Sequence, residues 1–202
     1  RQPGSAFKPF VFAAAIDRGL SPVSSISGLR NLLVSTPDGV WSPRSAGAHG
    51  EDTLTLRDAL VESNNAAAVL LQRQIGSAPV LRLAADLGVD HQPDVPSLAL
   101  GSGLVTPIDL TAAYAVFPAL GERVRPRGLV SIRNAAGNRV GMVHIDKSRV
   151  MSSEAAFQMV TILQDVIARG TGAPARELGV RGDVGGKTGT TTDAVDAWFV
   201  GF

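Results

Sequence analysis

The clearly marked ends of its helical segments constrain the fold of this chain more than any other feature of the sequence. Residues 5–19 predict a helix with a strongly apolar face that includes Phe7 and Phe10, and Gly19 ends it. The other predicted helices combine polar caps, apolar periodicity and glycine stops. The first of them begins at Thr55, an N-cap with Asp58 three residues later, and runs toward Glu62. The next two cover residues 65–75 and residues 79–87, and the second of these ends before Gly88. A further helix begins at Thr106-Pro107, and the last covers residues 153–169 and ends before Gly170.

Strand patterns are fewer and stand mainly near the end of the chain. Residues 129–145 alternate apolar and polar types around a turn at 136–138, which predicts a hairpin. Residues 184–191 and 195–202 predict two further strands around Thr192 and Asp193. The Ser-, Pro- and Gly-rich stretch 21–50 predicts an irregular excursion. We therefore expect an α+β or α/β fold in which helices dominate.

The composition excludes several classes of function. Of the 202 residues, 45% are hydrophobic and 18% charged, with a net charge of +1, so nothing predicts a basic field for nucleic acid. No apolar stretch reaches the ~18 residues that a membrane span needs. Cysteine is absent, which excludes disulfides and thiolate chemistry, and His49, His91 and His144 lack metal-ligand spacing. We expect neither a metal nor an organic cofactor.

The first motif with chemical meaning is the S-x-x-K formed by Ser5 and Lys8. Side chains three apart on a helix share one face, so the amine can reach the hydroxyl. A serine becomes a good nucleophile only when a base takes its proton, which requires a neutral lysine. Lowering a lysine pKa from about 10.4 toward 7 costs about 4 kcal/mol, which burial or a second cation can supply. Pro9 is unexpected here, because it denies the Ser5 carbonyl its helical partner unless the first turn is loose or 3-10.

Two further motifs follow in the chain. Ser63 to Asn65 form an S-x-N, in which a hydroxyl and an amide can pass a proton and hold a substrate amide, although on its own the tripeptide equally suits a helix cap. Residues 187–190, Lys-Thr-Gly-Thr, suit an edge strand on which a cation and two hydroxyls grip a carboxylate. Gly189 would let a ligand backbone approach, or would simply be part of a glycine-rich strand entry. Each motif is weak alone, but all three occur once and in one order. This is the S-x-x-K, S-D-N and K-T-G combination of penicillin-binding proteins and class A β-lactamases, from which the sequence departs only in having Asn64 at the middle position.

With these motifs, the chain resembles the transpeptidase domain of class A, high-molecular-mass penicillin-binding proteins. The resemblance implies the α/β sandwich of the β-lactamase and penicillin-binding type, and it extends over essentially the whole chain. Five more segments carry it: residues 1–4 (RQPG), 97–102 (SLALGS), 105–107 (VTP), 169–172 (RGTG) and 196–201 (DAWFVG).

The resemblance also implies a role for each motif residue. Ser5 would be the acylated nucleophile, Lys8 its general base, Ser63 a proton relay and Asn65 a contact to Lys8 and the substrate amide. The substrate-binding residues would be Lys187, which also depresses the pKa of Lys8, together with Thr188, Gly189 and Thr190. Backbone N–H groups of Ser5 and Thr190 would form an oxyanion hole.

The implied reaction is cross-linking of peptidoglycan stem peptides at D-alanyl-D-alanine, with β-lactams acylating the same serine. It implies an extracytoplasmic location, and a membrane anchor and glycosyltransferase domain upstream of a partial domain over residues 1–202. The departures are Ala6, where the family often has threonine, and the lack of strands before and after these motifs. A two-stranded remnant exposes unpaired edges. We therefore expect either contacts from another chain across that edge or a poorly ordered site at residues 187–190.

Rival functions of the same fold remain open at the level of the sequence. A class A β-lactamase uses a glutamate after the second motif, and residues 66–121 contain none, which favours slow deacylation. A D,D-carboxypeptidase shares the nucleophile and differs in its acceptor. A β-lactam-binding sensor or a non-catalytic scaffold would keep the fold without turnover, although three intact motifs argue against a decayed scaffold.

Overall fold

The structure is a computed structural model that describes residues 1–36, 39–43, 51–142, 144–191 and 195–202. Helices make up 41% of the described residues, and the strands there form small two-stranded sheets, so the expected helix-dominated mixed fold is confirmed. The helical elements are the 3-10 turn η1 (Gly4–Phe7), α1 (Lys8–Asp17), α2 (Leu56–Val61), α3 (Asn65–Ile75), α4 (Ser77–Leu87), the 3-10 turn η2 (Pro96–Leu100), α5 (Pro107–Ala115), α6 (Ser153–Arg169) and α7 (Pro174–Glu177).

The strands pair only as antiparallel couples in the described part of the chain. The couples are β1 (Ser25–Ser27) with β4 (Thr53–Thr55), β2 (Val34–Thr36) with β3 (Gly39–Trp41), β5 (Glu122–Val124) with β8 (Lys147–Arg149), β6 (Ser131–Arg133) with β7 (Arg139–Met142), and β9 (Gly186–Thr190) with β10 (Ala197–Gly201). The predicted hairpin at 129–145 is present as β6 and β7, and Gly137 takes a φ of 81° in its turn. The predicted terminal strands are present as β9 and β10, whereas Thr192 and Asp193 lie outside the described residues.

Two expectations about local structure are wrong. The stretch 21–50 is not wholly irregular, because β1, β2 and β3 lie in it. Each of these strands is only three residues long, so the alternation of apolar and polar residues is too short to detect in the sequence. Residues 37–38 and 44–50 of that stretch lie outside the described part. Helix α4 begins at Ser77 rather than Pro79, since proline is tolerated within a first turn, where its missing N–H has no helical partner.

The helix predicted from Ser5 divides into two parts, and this division explains Pro9. η1 is a 3-10 turn, and the N–H of Lys8 donates to the Ser5 carbonyl. That carbonyl therefore needs no bond from residue 9, and Pro9 falls in the first turn of α1, where proline is favoured. The loose first turn considered from the sequence is what the structure contains.

Helix α1 is the centre of the core. Every residue from Lys8 to Ile16 is buried, and α2, α3, α4 and α6 pack around the helix. A helix that is apolar on all sides is stable only with such complete coverage. An aromatic cluster of Phe7, Phe10, Tyr114 and Phe117, with centroids 5.2–6.4 Å apart, joins η1 and α1 to α5. No helix of the described residues is long and apolar enough to cross a membrane.

Tyr114 ties α5 to η1 through one buried hydrogen bond. Its hydroxyl donates to the Ala6 carbonyl at 2.6 Å, and its side chain is only 1% exposed. Burial raises the pKa of this phenol, so the group stays a neutral donor. The bond holds the turn that carries Ser5 against the core.

Tyr114→Phe is therefore expected to lower the free energy of unfolding by about 1–3 kcal/mol, because the Ala6 carbonyl would stay buried with one partner fewer. Urea denaturation measures the change. Thr111→Val removes an exposed hydroxyl from the same helix and is the matched control, with an expected change within about 0.5 kcal/mol. Equal stability of Tyr114→Phe and the wild type would show that the bond does not hold the turn.

Candidate active site

The three sequence motifs lie on elements that pack against one another. Ser5 is in η1, Lys8 begins α1, residues 63–65 form the junction between α2 and α3, and residues 187–190 lie in β9. η1 packs against β9, and α1 packs against both α2 and α3. The motifs, which stand near opposite ends of the chain, therefore meet at one place.

Lys8 is a completely buried lysine with three polar partners. Its Nζ donates to the Ser63 carbonyl at 2.5 Å, to Ser63 Oγ at 3.0 Å and to Asn65 Oδ1 at 2.5 Å. Burial, and secondarily the charge of Lys187, lowers the pKa of Lys8 well below its ordinary value. Both causes are those that the chemistry of an S-x-x-K motif requires, so this amine is suited to accept a proton.

The S-x-N junction both caps a helix and binds Lys8. Asn64 is the N-cap of α3, and its side chain accepts a bond from the N–H of Ala67 at 2.9 Å. Ser63 has a φ of 59°, a left-handed conformation that is costly for a residue with a side chain. This conformation presents both the carbonyl and the hydroxyl of Ser63 to Lys8. The cap interpretation thus holds for Asn64, whereas Ser63 and Asn65 contact Lys8.

Lys187 provides a second fully buried ammonium. Its Nζ donates to the Thr188 carbonyl at 3.2 Å, to Thr171 Oγ1 at 3.3 Å and to Thr188 Oγ1 at 3.4 Å. Burial lowers the pKa of Lys187 to about 8. The group is therefore mostly charged at neutral pH, where it disfavours a proton on Lys8.

The half-buried Ser5 sits where η1 presses on the open edge of β9. A Cβ atom built on Gly4 would stand 2.5 Å from the Thr190 carbonyl oxygen, and Gly4 takes a φ of 55°. On the opposite side, a Cβ on Gly101 would stand 2.2 Å from the Gly4 carbonyl oxygen. η1 thus lies close to the backbone of Thr190 and to that of Gly101. Such close approaches are possible only because the residues at 4 and 101 are glycine.

The pairing of β9 with β10 decides which of its backbone groups face the cleft. Gly185 and Phe202 exchange both hydrogen bonds, and the N–H of Thr191 donates to Asp196. Since bonded and non-bonded pairs alternate in an antiparallel ladder, Thr188 and Thr190 direct their N–H and C=O groups away from β10. The N–H of Thr190 therefore points toward the side occupied by η1.

Gly189 does not have the role proposed from the sequence. A Cβ at this position would meet the Pro3 carbonyl oxygen at 2.4 Å and Ala6 at 3.0 Å. The space beside Gly189 is filled by the chain itself, so the glycine admits η1 rather than a ligand. Lys187 to Thr190 lie in a regular strand, and not in a poorly ordered segment, because η1 and α6 support β9 from within the chain.

Thr171 belongs to the same cluster, although the sequence motifs did not assign it to the site. Its Oγ1 lies 2.9 Å from Thr188 Oγ1 as well as 3.3 Å from Lys187 Nζ. The available signal was the segment 169–172, which carried part of the family resemblance. Among the described residues, no group of three His, Cys, Asp or Glu side chains could hold a metal ion.

Comparison with known proteins places this geometry in a family. The model of the penicillin binding protein transpeptidase domain matches residues 1–202, and the chain belongs to this family. Penicillin-binding protein 1A of Neisseria lactamica is 36% identical over 211 residues, and that of Aquifex aeolicus is 36% identical over 203 residues. Both alignments cover the whole chain but only 26% and 28% of these relatives, so the chain spans about a quarter of their length.

Solved structures agree with the fold. The crystal structure of penicillin-binding protein 1A from Haemophilus influenzae superposes with a TM-score of 0.92 at 26% identity, covering all of this chain and 36% of that one. Penicillin-binding protein A of Mycobacterium tuberculosis, solved as an imipenem acyl-enzyme complex, superposes with a TM-score of 0.83 at 20% identity. This alignment covers all of this chain and 52% of that one. The expected penicillin-binding fold is confirmed.

Gly189→Ala is expected to lower the free energy of unfolding by about 1–3 kcal/mol, because the new methyl group collides with backbone atoms of η1. Gly141→Ala in β7 is the matched control, since a Cβ there meets only the Ile132 side chain at 3.6 Å, an ordinary contact. Chemical denaturation compares the two variants. Similar stabilities would mean that η1 and β9 are not in tight contact.

Proposed function

We propose that this domain is an acyl-serine D,D-transpeptidase that cross-links peptidoglycan stem peptides and is acylated by β-lactams at Ser5. The observation that carries the proposal is a fully buried Lys8, one helical turn after Ser5, beside a second buried cation and bonded to Ser63 and Asn65. Burial and the neighbouring cation both lower the pKa of Lys8, which is the shift that a general base for a serine nucleophile needs.

In the proposed acylation, neutral Lys8 takes the proton of Ser5 while Ser5 Oγ attacks the carbonyl of the D-alanyl-D-alanine bond. The resulting oxyanion would be stabilised by the N–H groups of Ser5 and Thr190. The orientation of Thr190 toward η1 supports this assignment.

Collapse of the intermediate requires a proton for the departing amine of the last D-alanine. Ser63 Oγ lies 3.0 Å from Lys8 Nζ, so it can donate its own proton to the amine and receive one from protonated Lys8. The C–N bond then breaks and the acyl-serine remains. An amine of a second stem peptide would attack this ester, release Ser5 and complete the cross-link.

Recognition of the substrate carboxylate is assigned to β9. Lys187 would supply a positive charge, and Thr188 and Thr190, whose backbone groups point away from β10, would supply hydroxyl groups. Asn65, which binds Lys8 through its Oδ1, has an amide NH₂ group that would hold the substrate amide. Gly189 contributes by letting β9 approach Ser5 rather than by contacting substrate.

The relatives support the proposal by their names, and the fold neighbour from M. tuberculosis shows that a protein of this fold forms an acyl-enzyme with imipenem. The substrate would place the domain on the extracytoplasmic face of the bacterial membrane. We propose that it belongs to a longer protein that carries a membrane anchor and a glycosyltransferase domain, as the class A resemblance implies.

Incubation with benzylpenicillin followed by intact-mass spectrometry is expected to show one covalent adduct on the protein, located on Ser5 by peptide mapping. Ser5→Ala removes the nucleophile and should give none, while Ser24→Ala, outside the cleft, should react as the wild type does. An unmodified wild type would refute the proposed function. Rapid continuous turnover of nitrocefin would instead identify a β-lactamase, and acylation without transfer to an added amine acceptor would identify a sensor or a carboxypeptidase.

The rate of acylation is expected to fall as the pH rises through about 8, because Lys187 loses its charge there. The sign follows from a lowered pKa: the ammonium exists below about 8 and the neutral amine above. Stopped-flow acylation by a fluorescent penicillin between pH 6 and 10 measures the profile. Lys187→Arg should be slower but should keep its rate above pH 8, since guanidinium stays charged. Lys147→Arg, an exposed control, should leave the profile unchanged, and a wild-type rate that is flat to pH 10 would contradict the assignment.

A further inference from the structure

We infer that Thr171 is a positioning residue for carboxylate recognition, because its hydroxyl orients the hydroxyl of Thr188 as a donor toward the cleft. The inference rests on the proposed function and extends it to a residue outside the three motifs. Its basis is the placement of Thr171 Oγ1 between the ammonium of Lys187 and Thr188 Oγ1, at 3.3 Å and 2.9 Å.

The backbone of Thr171 is held in place by the end of α2. Its N–H donates to the Val61 carbonyl at 3.3 Å, and a Cβ on Gly170 would stand 2.5 Å from that same oxygen. The N–H of Gly172 turns back to the Val166 carbonyl of α6 at 3.0 Å. Thr171 is thus bonded to Val61, which lies two residues before Ser63 in the chain. This contact holds the backbone of Thr171 independently of β9.

Chemistry fixes the direction of the bond from Lys187, while either hydroxyl can donate in the bond between Thr171 and Thr188. A lysine ammonium has donors only, so Thr171 Oγ1 must accept from Lys187. The hydroxyl proton of Thr171 is then free to be donated to Thr188 Oγ1. Thr188 in turn keeps its own proton for an outside acceptor, and a carboxylate, which only accepts, is the partner that this arrangement favours.

The alternative direction would defeat recognition. If Thr188 donated its proton to Thr171, its oxygen would face the substrate carboxylate with lone pairs alone, and like partial charges would repel. Lys187 Nζ contacts Thr171 Oγ1 at 3.3 Å and Thr188 Oγ1 at 3.4 Å, so it leaves each hydroxyl one further lone pair. A carboxylate in the cleft accepts only, and it therefore selects the direction in which Thr171 donates to Thr188 and Thr188 donates outward. The three groups therefore form one cluster in which Lys187 donates to both hydroxyls and Thr171 contacts Thr188, so that the bonds can strengthen one another.

Thr171→Val keeps the shape of the side chain and removes the hydroxyl. Because Thr171 is exposed, the fold should tolerate the change. Acylation by benzylpenicillin is expected to slow by about 5- to 20-fold, the loss of a hydrogen bond in a charge-assisted chain. Thr171→Ser retains the hydroxyl and should stay within about 2-fold of the wild type, as should Thr111→Val, the same chemical change on exposed α5.

Two measurements separate a positioning role from a general disturbance. The methyl ester of benzylpenicillin lacks the carboxylate, so Thr171→Val and the wild type should react with it at similar rates. In a Thr188→Val background, Thr171→Val should lower the rate of acylation only slightly further, since the hydroxyl through which Thr171 acts is already absent. The alkaline fall of the rate should also move to lower pH in Thr171→Val, because the Lys187 ammonium loses an acceptor.

The outcomes distinguish the inference from the function on which it rests. If the wild type is acylated and Thr171→Val reacts equally fast, or loses as much rate with the ester as with benzylpenicillin, the inference is wrong and the proposed function stands. If the wild type is not acylated at all, both fail. A loss confined to the carboxylate-bearing compound and restored by serine supports the inference.

Discussion

The whole site depends on the burial of two lysines beside one another. An ammonium removed from water without compensation is strongly destabilising, and here Lys8 and Lys187 are both fully enclosed. Hydrogen bonds that the two lysines donate to Ser63, Asn65, Thr171 and Thr188 partly compensate. The remaining cost appears as lowered pKa values of both lysines, which is the property that the proposed general base at Lys8 needs.

The burial of apolar side chains at the centre of the fold offsets the free-energy cost of enclosing the two lysines. α1 carries Lys8 at its first position and is otherwise surrounded by hydrophobic side chains and other helices. The aromatic cluster and Tyr114 hold η1, and glycine at 4, 101 and 189 lets η1 approach the neighbouring backbones. The position of Ser5 is therefore set largely by aromatic packing, the Tyr114 hydrogen bond and close approaches between backbones.

Sequence reasoning succeeded where the cause of a structure lies within a few residues. Helix ends at Thr55, Asn65 and Thr106 follow from local capping, and the structure shows a side-chain cap at or next to each. It failed for β1, β2 and β3, whose three-residue strands are too short to show a period. It also misjudged Gly189, because the atom that requires a glycine there is the Pro3 carbonyl, distant in the chain.

The sequence alone determined the kinds of group available, the helical framework and, through three ordered motifs, the family. Those properties depend on the spacing of residues close together in the chain, which can be read from the sequence directly. Only the tertiary structure decided that both lysines are enclosed, that the Thr190 N–H faces η1 and that Thr171 joins Lys187 and Thr188. Burial, strand register and contacts between distant segments arise from packing the elements together, and no local pattern encodes them.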